Sequence, residues 1–175
     1  MMDDLKKYIR SVPDFPKPGI NFYDITTLLV NPEGFKTALD RMEKFVSSRG
    51  AQKIISIESR GFVFGAAIAD RLHLGFVAAR KPGKLPYKTI SQEYDLEYGT
   101  DRLEIHADAV SAGEKVVIVD DLIATGGTIE AACKLVERLK GEVAGVSVVI
   151  DLKFLPWRDK LRKYDVNCLI SYDSE

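Results

Sequence analysis

Two adjacent carboxylates, Asp120 and Asp121, followed closely by Ala124, Thr125, Gly126, Gly127 and Thr128, carry the most chemistry in this chain. Four apolar, β-branched residues, Val116 to Val119, run straight into them, and a helical pattern opens behind them. Such a run suits a strand covered on both faces of a parallel sheet. Open α/β sheets bind ligands at the carboxyl ends of strands of this kind. The backbone N–H groups of residues 124–128, at a helix N-terminus, form an anion cradle to which the helix dipole adds. Gly126 and Gly127 let the backbone approach a ligand closely and take positive φ, while Thr125 and Thr128 are the expected hydroxyl donors and N-caps. A capped turn without a ligand uses the same small residues. The paired carboxylates argue against that, because burying them is costly unless hydroxyls, a metal or a cation meet them. A phosphorylated polyol answers both halves of the pattern. A P-loop is excluded, since no Lys follows the glycines.

Three more stretches belong to the same chemistry. Glu58, Ser59, Arg60 and Gly61 end one expected strand and open a helix, where a Ser and an Arg beside free N–H groups suit a second phosphate; a plain cap and a surface charge are the simpler reading of the same residues. Residues 80–88, RKPGKLPYK, are the densest basic stretch. Within it Lys81 and Lys84 are the expected anion ligands, because prolines and Gly83 hold them on irregular backbone. The segment 87–100 is longer than a structural connection needs, which marks a functional loop.

These residues need a scaffold. The patterns predict helices over residues 5–12, 32–50, 62–72 and 128–140, with Phe35, Ala38, Leu39, Met42, Phe45 and Val46 as the apolar stripe of the second. They predict strands over residues 53–58, 75–80, 103–106, 116–121, 143–151 and 166–172, an irregular Pro-rich stretch over 13–19, and no clear period over 81–100. Strands alternating with helices give an α/β fold with a mainly parallel central sheet flanked by helices and right-handed crossovers. The 175 residues read as a single domain without repeats or linkers. No chemistry is evident in residues 153–175, although Trp157 lies there.

With a formal net charge of −1 the chain has no global field for nucleic acid or anionic membrane, so a polyanion must be caught by local clusters. No apolar run has the length of a membrane span, and the start MMDDLKKYIR is too polar for a secretory signal. Cys133 and Cys168 lack metal or CxxC spacing and fit a reducing cytoplasm. His73 and His106 are too scattered for a metal site.

The apolar strand, the acidic pair and the Thr-Gly loop together resemble the phosphoribosyltransferase family in its type I fold, which adds an N-terminal hood (about residues 1–34) and a flexible lid loop (about residues 81–103). The resemblance implies that Asp120 and Asp121 address the ribose hydroxyls of 5-phosphoribosyl 1-pyrophosphate and that residues 124–128 wrap its 5′-phosphate. It implies pyrophosphate at Ser59, Arg60, Lys81 and Lys84, with a cis peptide between Glu58 and Ser59. Mg²⁺ would ride mainly on the substrate's own oxygens, near Asp120, with waters completing its octahedron. Related enzymes bring part of residues 80–88 across a dimer interface, so a homodimer is expected.

Two features resemble the adenine-specific members. Leu96 to Gly99 reads LEYG, the lid sequence whose Glu acts at N7 of the base, a role that falls to Glu97. Residues 15–26, FPKPGINFYDIT, resemble the hood that binds the base, with Ile20, Asn21, Phe22 and Tyr23 around it and Leu122 closing the other side. Ala124 stands where 6-oxopurine enzymes commonly carry Asp. Tyr23 departs from a basic residue, and Tyr87 from a glycine, in many relatives. The implied reaction is purine salvage, adenine plus 5-phosphoribosyl 1-pyrophosphate giving AMP and pyrophosphate. A relative acting on xanthine, guanine or orotate is the nearer alternative. A non-catalytic regulator of the same fold, sensing phosphoribosyl pyrophosphate, is the more distant one.

Overall fold

Apolar strands separated by amphipathic helices collapse here into a five-stranded sheet with helices on both faces. The computed structural model describes residues 4–95 and 99–174. After a 3-10 turn at Lys6–Tyr8 come β1 (Arg10–Val12), β2 (Phe22–Asp24), α1 (Thr26–Leu29), α2 (Pro32–Ser48), β3 (Lys53–Ile57), α3 (Gly61–Leu72) and β4 (Gly75–Ala79). The chain continues through β5 (Thr89–Asp95), β6 (Thr100–His106), β7 (Lys115–Ile123), α4 (Gly127–Arg138), β8 (Glu142–Leu152), α5 (Trp157–Leu161) and β9 (Val166–Tyr172).

The central sheet has the order β4-β3-β7-β8-β9, and every neighbouring pair is parallel. β7 is its middle strand, which is why Val116 to Val119 are fully buried and read as a continuous apolar run. Alternation along the strands divides the core. Ile54, Val117 and Val119 pack with Leu39, Met42, Phe64 and Ile68 of α2 and α3, whereas Ile55 and Ile118 pack with Ile129, Leu135 and Val136 of α4. Asn31 starts α2 by accepting the N–H of Gly34 at 2.8 Å, and Pro32 occupies the first turn.

From β3 the chain crosses outward to β4, and from β7 it crosses the other way to β8. The order therefore reverses between β3 and β7, and the turns leaving these two strands flank a crevice at their carboxyl ends. Both turns carry the residues singled out from the sequence.

Elsewhere the structure corrects the sequence reading. The helix expected over residues 5–12 is only the turn Lys6–Tyr8, because residues 10–12 pair antiparallel with β2. Residues 89–95 and 100–106, most of them read as irregular, form an antiparallel pair, β5 and β6, in which Tyr94 faces Asp101 across the ladder. This pair rests on α4: Arg138 donates to the carbonyl of Ser91, and a Cβ on Gly127 would stand 2.8 Å from the carbonyl oxygen of Asp95. The helix expected over residues 128–140 starts at Gly127 and ends at Arg138. β2, α1 and α5 had no sequence counterpart.

Candidate active site

β7 ends in a pocket. Asp120 and Asp121, 8% and 7% exposed, lie in the wall of a cavity of about 480 Å³ that also takes in residues 58–60, 122–129, Lys81, Tyr94 and Asp101. Asp120 Oδ1 accepts the backbone N–H of Asp121 at 2.8 Å. Burial drives the Asp120 carboxyl well above the usual carboxylate range, and the neighbouring charge of Asp121 adds to this. Asp121 is held differently, with its Oδ2 accepting from Arg60 Nε at 2.5 Å. Gly61, the first residue of α3, is what admits this arrangement: a Cβ there would sit 2.7 Å from Asp120 Oδ1.

Behind the acidic pair, the start of α4 opens on the cavity. Gly126 occupies its cap position with φ +77°, and no side chain caps the helix. Thr125 and Thr128 therefore do not act as the N-caps expected of them, and the backbone donors of residues 124–128 stay available to an anion. The start of α3 is likewise uncapped by a side chain, and the Glu58–Ser59 peptide before it is cis. Ser59 and Arg60 line the cavity from this side.

A strand-end carboxylate pair and two uncapped helix starts line one cavity, and comparison with known proteins gives the chain a family. The phosphoribosyl transferase domain family matches residues 28–172. The adenine phosphoribosyltransferase of Acetivibrio thermocellus is 57% identical over 97% of this chain and 99% of its own. That of Thermotoga maritima is 54% identical over 97% and 98%. The crystal structure of the Thermoanaerobacter pseudethanolicus enzyme superposes with a TM-score of 0.94 at 51% identity, covering 98% of this chain and all of that one. The Saccharomyces cerevisiae enzyme, crystallised with adenine and an imino-altritol bisphosphate, superposes with a TM-score of 0.90 at 39% identity, covering 97% and 98%. The chain belongs to the adenine phosphoribosyltransferase family.

As a member of the adenine phosphoribosyltransferases, it pairs each basic residue expected at the anion end with a carboxylate. Lys81 Nζ stands 2.8 Å from Asp101 Oδ2, which raises the lysine above its ordinary pKa and, with the Arg102 N–H, holds Asp101 below its own. Tyr94 donates to the same carboxylate at 3.3 Å. Lys84 does not line the cavity. Its Nζ lies 3.2 Å from Glu58 Oε1, which also accepts the Lys81 N–H at 2.7 Å, while Oε2 takes Arg80 Nε at 2.9 Å. Burial pushes Glu58 up, yet these three donors outweigh it and leave the group below its usual value.

None of the hood residues 20–23 is in the cavity wall. The Phe22 ring lies under the Arg60 guanidinium, 5.3 Å from centroid to Cζ, and packs edge-on against Phe15. Ile20 is exposed, and the Asn21 side-chain oxygen accepts from Ser11 at 2.6 Å. Tyr23 turns its ring into the core, stacked at 3.8 Å on Tyr172, with its hydroxyl donating to the Ser174 carbonyl, so only its backbone is left to read a base. Leu122 lines the cavity. Glu97 lies outside the described residues.

Tyr94, Asp101 and Glu58 line the site without having been assigned a part in it. Alternation of Ile90 with Tyr94 and of Leu103 with Ile105 is the signal that finds the hairpin and, through it, the first two. For Glu58 the only sign is its place at the end of a strand beside the Ser59–Arg60 turn.

Proposed function

We propose that this protein transfers the phosphoribosyl group of 5-phosphoribosyl 1-pyrophosphate to adenine, forming AMP and pyrophosphate. One observation carries the reading: the Asp120–Asp121 pair and the uncapped start of α4 line one cavity, with the start of α3 and Arg60 on its other wall. Asp120 and Asp121 hold the ribose hydroxyls, and residues 124–128 wrap the 5′-phosphate. Ser59, Arg60 and Lys81 take the pyrophosphate, while Lys84, bound to Glu58, reinforces the charge at the rim. As the bond from C1 to pyrophosphate breaks and the bond from C1 to the base forms, positive charge develops on the ribose, and the acidic pair offsets it. Glu97 acts at N7 of the base. The β5–β6 hairpin, placed over the cavity through Tyr94 and Asp101, helps exclude water from a sugar that would otherwise be hydrolysed.

Mg²⁺ belongs to this reading as an ion borne by the substrate. Asp120 and Asp121, two oxygen donors on the cavity wall, suit a hard cation whose other ligands come from substrate and water. Asp120 and Asp121 are the residues that would steady it, and when bound it would neutralise pyrophosphate charge. A homodimer belongs to the same reading, supported by Val63 of α3 and Phe76 of the edge strand β4, both exposed. Among the described residues no helix is long and apolar enough to cross a membrane. The free thiols of Cys133 and Cys168 support a reducing cytoplasmic setting.

The test is product formation. Purified protein with adenine, 5-phosphoribosyl 1-pyrophosphate and Mg²⁺ yields AMP and pyrophosphate in equal amounts; absence of AMP under these conditions overturns the proposal.

A further inference from the structure

Next to the phosphate cradle lies a cluster, centred on one buried carboxylate, that the transfer reaction does not use. Asp151 of β8 is 2% exposed. Its Oδ1 accepts the indole N–H of Trp157 at 2.6 Å. Its Oδ2 accepts the Arg158 guanidinium at 2.8 Å and the Ser171 hydroxyl at 3.2 Å. The Arg158 guanidinium in turn lies 4.3 Å from the centre of the Trp157 ring. A buried carboxylate is tolerated only when its oxygens are met in this way.

Asp151 is the register partner of Ile123, the last residue of β7, so the cluster flanks the turn that leads into α4. Trp157 is 5% exposed and backs onto that turn. A Cβ added to Gly126 would stand 3.0 Å from Trp157 Cβ and 3.4 Å from Trp157 Cα. Gly126 is also the residue with φ +77° from which the α4 N-terminus starts. The cradle thus leans on the first residue of a five-residue helix, which is too short to hold its place alone. Two things fix that helix: the burial of Trp157 and Leu161 in the core, and the grip of Asp151 on Trp157 and Arg158. None of the four cluster residues lines the cavity.

We propose that Asp151 is a positioning residue for the phosphate cradle. By holding Trp157 and Arg158 it keeps α5 behind Gly126 and fixes the N–H groups of residues 124–128 in the geometry that a sugar phosphate monoester needs. Donors held in place before binding cost less to order when the ligand arrives. The inference rests on reading residues 124–128 as the 5′-phosphate site. It has a spectroscopic consequence, because Trp157 is the only tryptophan in the chain: its emission should change when the cradle fills.

The experiment titrates ribose 5-phosphate into the full-length protein, following both heat and tryptophan emission, and repeats the heat titration on Trp157→Phe and Asp151→Asn. Trp157→Phe keeps an aromatic ring but removes the indole donor. Asp151→Asn keeps the shape but removes the charge. The expected result is an emission change in the unsubstituted protein and about tenfold weaker ribose 5-phosphate binding in each variant. Steady-state assays should show a raised KM for 5-phosphoribosyl 1-pyrophosphate, with kcat and the adenine KM within about twofold of the original. Unsubstituted protein that fails to bind ribose 5-phosphate would overturn the cradle assignment itself, and this proposal with it. Binding that is unchanged in Trp157→Phe would overturn the proposal alone. So would an equal rise in both KM values, which marks general loosening. If Asp151→Asn does not fold, Trp157→Phe decides the matter.

Discussion

The Nε of Arg60 lies 2.5 Å from Oδ2 of Asp121, joining the turn before α3 to the end of β7 across the point where strand order reverses. This pair ties the two halves of the site together. The cation expected to meet pyrophosphate is held by a carboxylate expected to meet the ribose, through Nε and Oδ2.

Asp121→Asn separates the catalytic from the structural share of that contact. About half of the Arg60 side chain is exposed, so the ion pair adds little to folding, under about 1 kcal/mol. The variant should keep its thermal stability while its KM for 5-phosphoribosyl 1-pyrophosphate rises roughly tenfold or more. Kinetics with each substrate varied in turn check this, and an unchanged KM for that substrate removes Asp121 from the ribose site.

Asp120 makes a prediction about pH. Burial, aided by the charge of Asp121, raises its carboxyl well above the usual range in the folded protein. The native state therefore keeps this proton to higher pH than the unfolded chain does. Stability is lost as pH climbs from the unfolded value towards the folded one, and the penalty persists above it. Asp120→Asn removes that penalty. Its Tm should exceed that of the unsubstituted protein at neutral pH, the gap should close below about pH 4, and turnover should fall. Parallel Tm curves for the two proteins across that range would contradict the assignment.

Gly61→Ala places a methyl group 2.7 Å from Asp120 Oδ1 and 3.2 Å from both Asp120 Cα and Ser56 Oγ. Strand backbone cannot yield easily here, so the cost should be about 1–3 kcal/mol. Displacing the Asp120 carboxylate should also weaken 5-phosphoribosyl 1-pyrophosphate binding. Thermal unfolding and calorimetric titration measure the two effects, and a variant that is neutral in both would show the packing to be looser than described.

Glu97→Gln addresses the base. Loss of a general acid or base costs about 10²–10⁴-fold in rate. The fall should appear in kcat, with both KM values little altered. A kcat near that of the unsubstituted protein removes Glu97 from proton transfer at N7.

What could be read from the residues alone follows from how local each signal is. β7, α2, α3 and β9 carry long apolar runs or stripes that nothing competes with, so their expected and observed limits agree closely. Asp120, Asp121 and residues 124–128 were legible for the same reason, being contiguous. β1 and β2 were not, because three-residue strands are defined by their pairing, Ser11 opposite Tyr23, rather than by their own pattern. Tyr94 and Asp101 reach the cavity only after the hairpin folds against α4, a contact set by Gly127 and Arg138 far along the chain. Asp151 gave no sign at all: its three donors come from α5 and β9, and only the folded chain brings them to one carboxylate.

The most direct test offers the protein adenine, hypoxanthine, guanine, xanthine and orotate together, at equal concentration, with 5-phosphoribosyl 1-pyrophosphate and Mg²⁺, and separates the nucleotides formed. AMP as the single product is the expected result. Appreciable formation of any other nucleotide would contradict the assignment of this site to adenine.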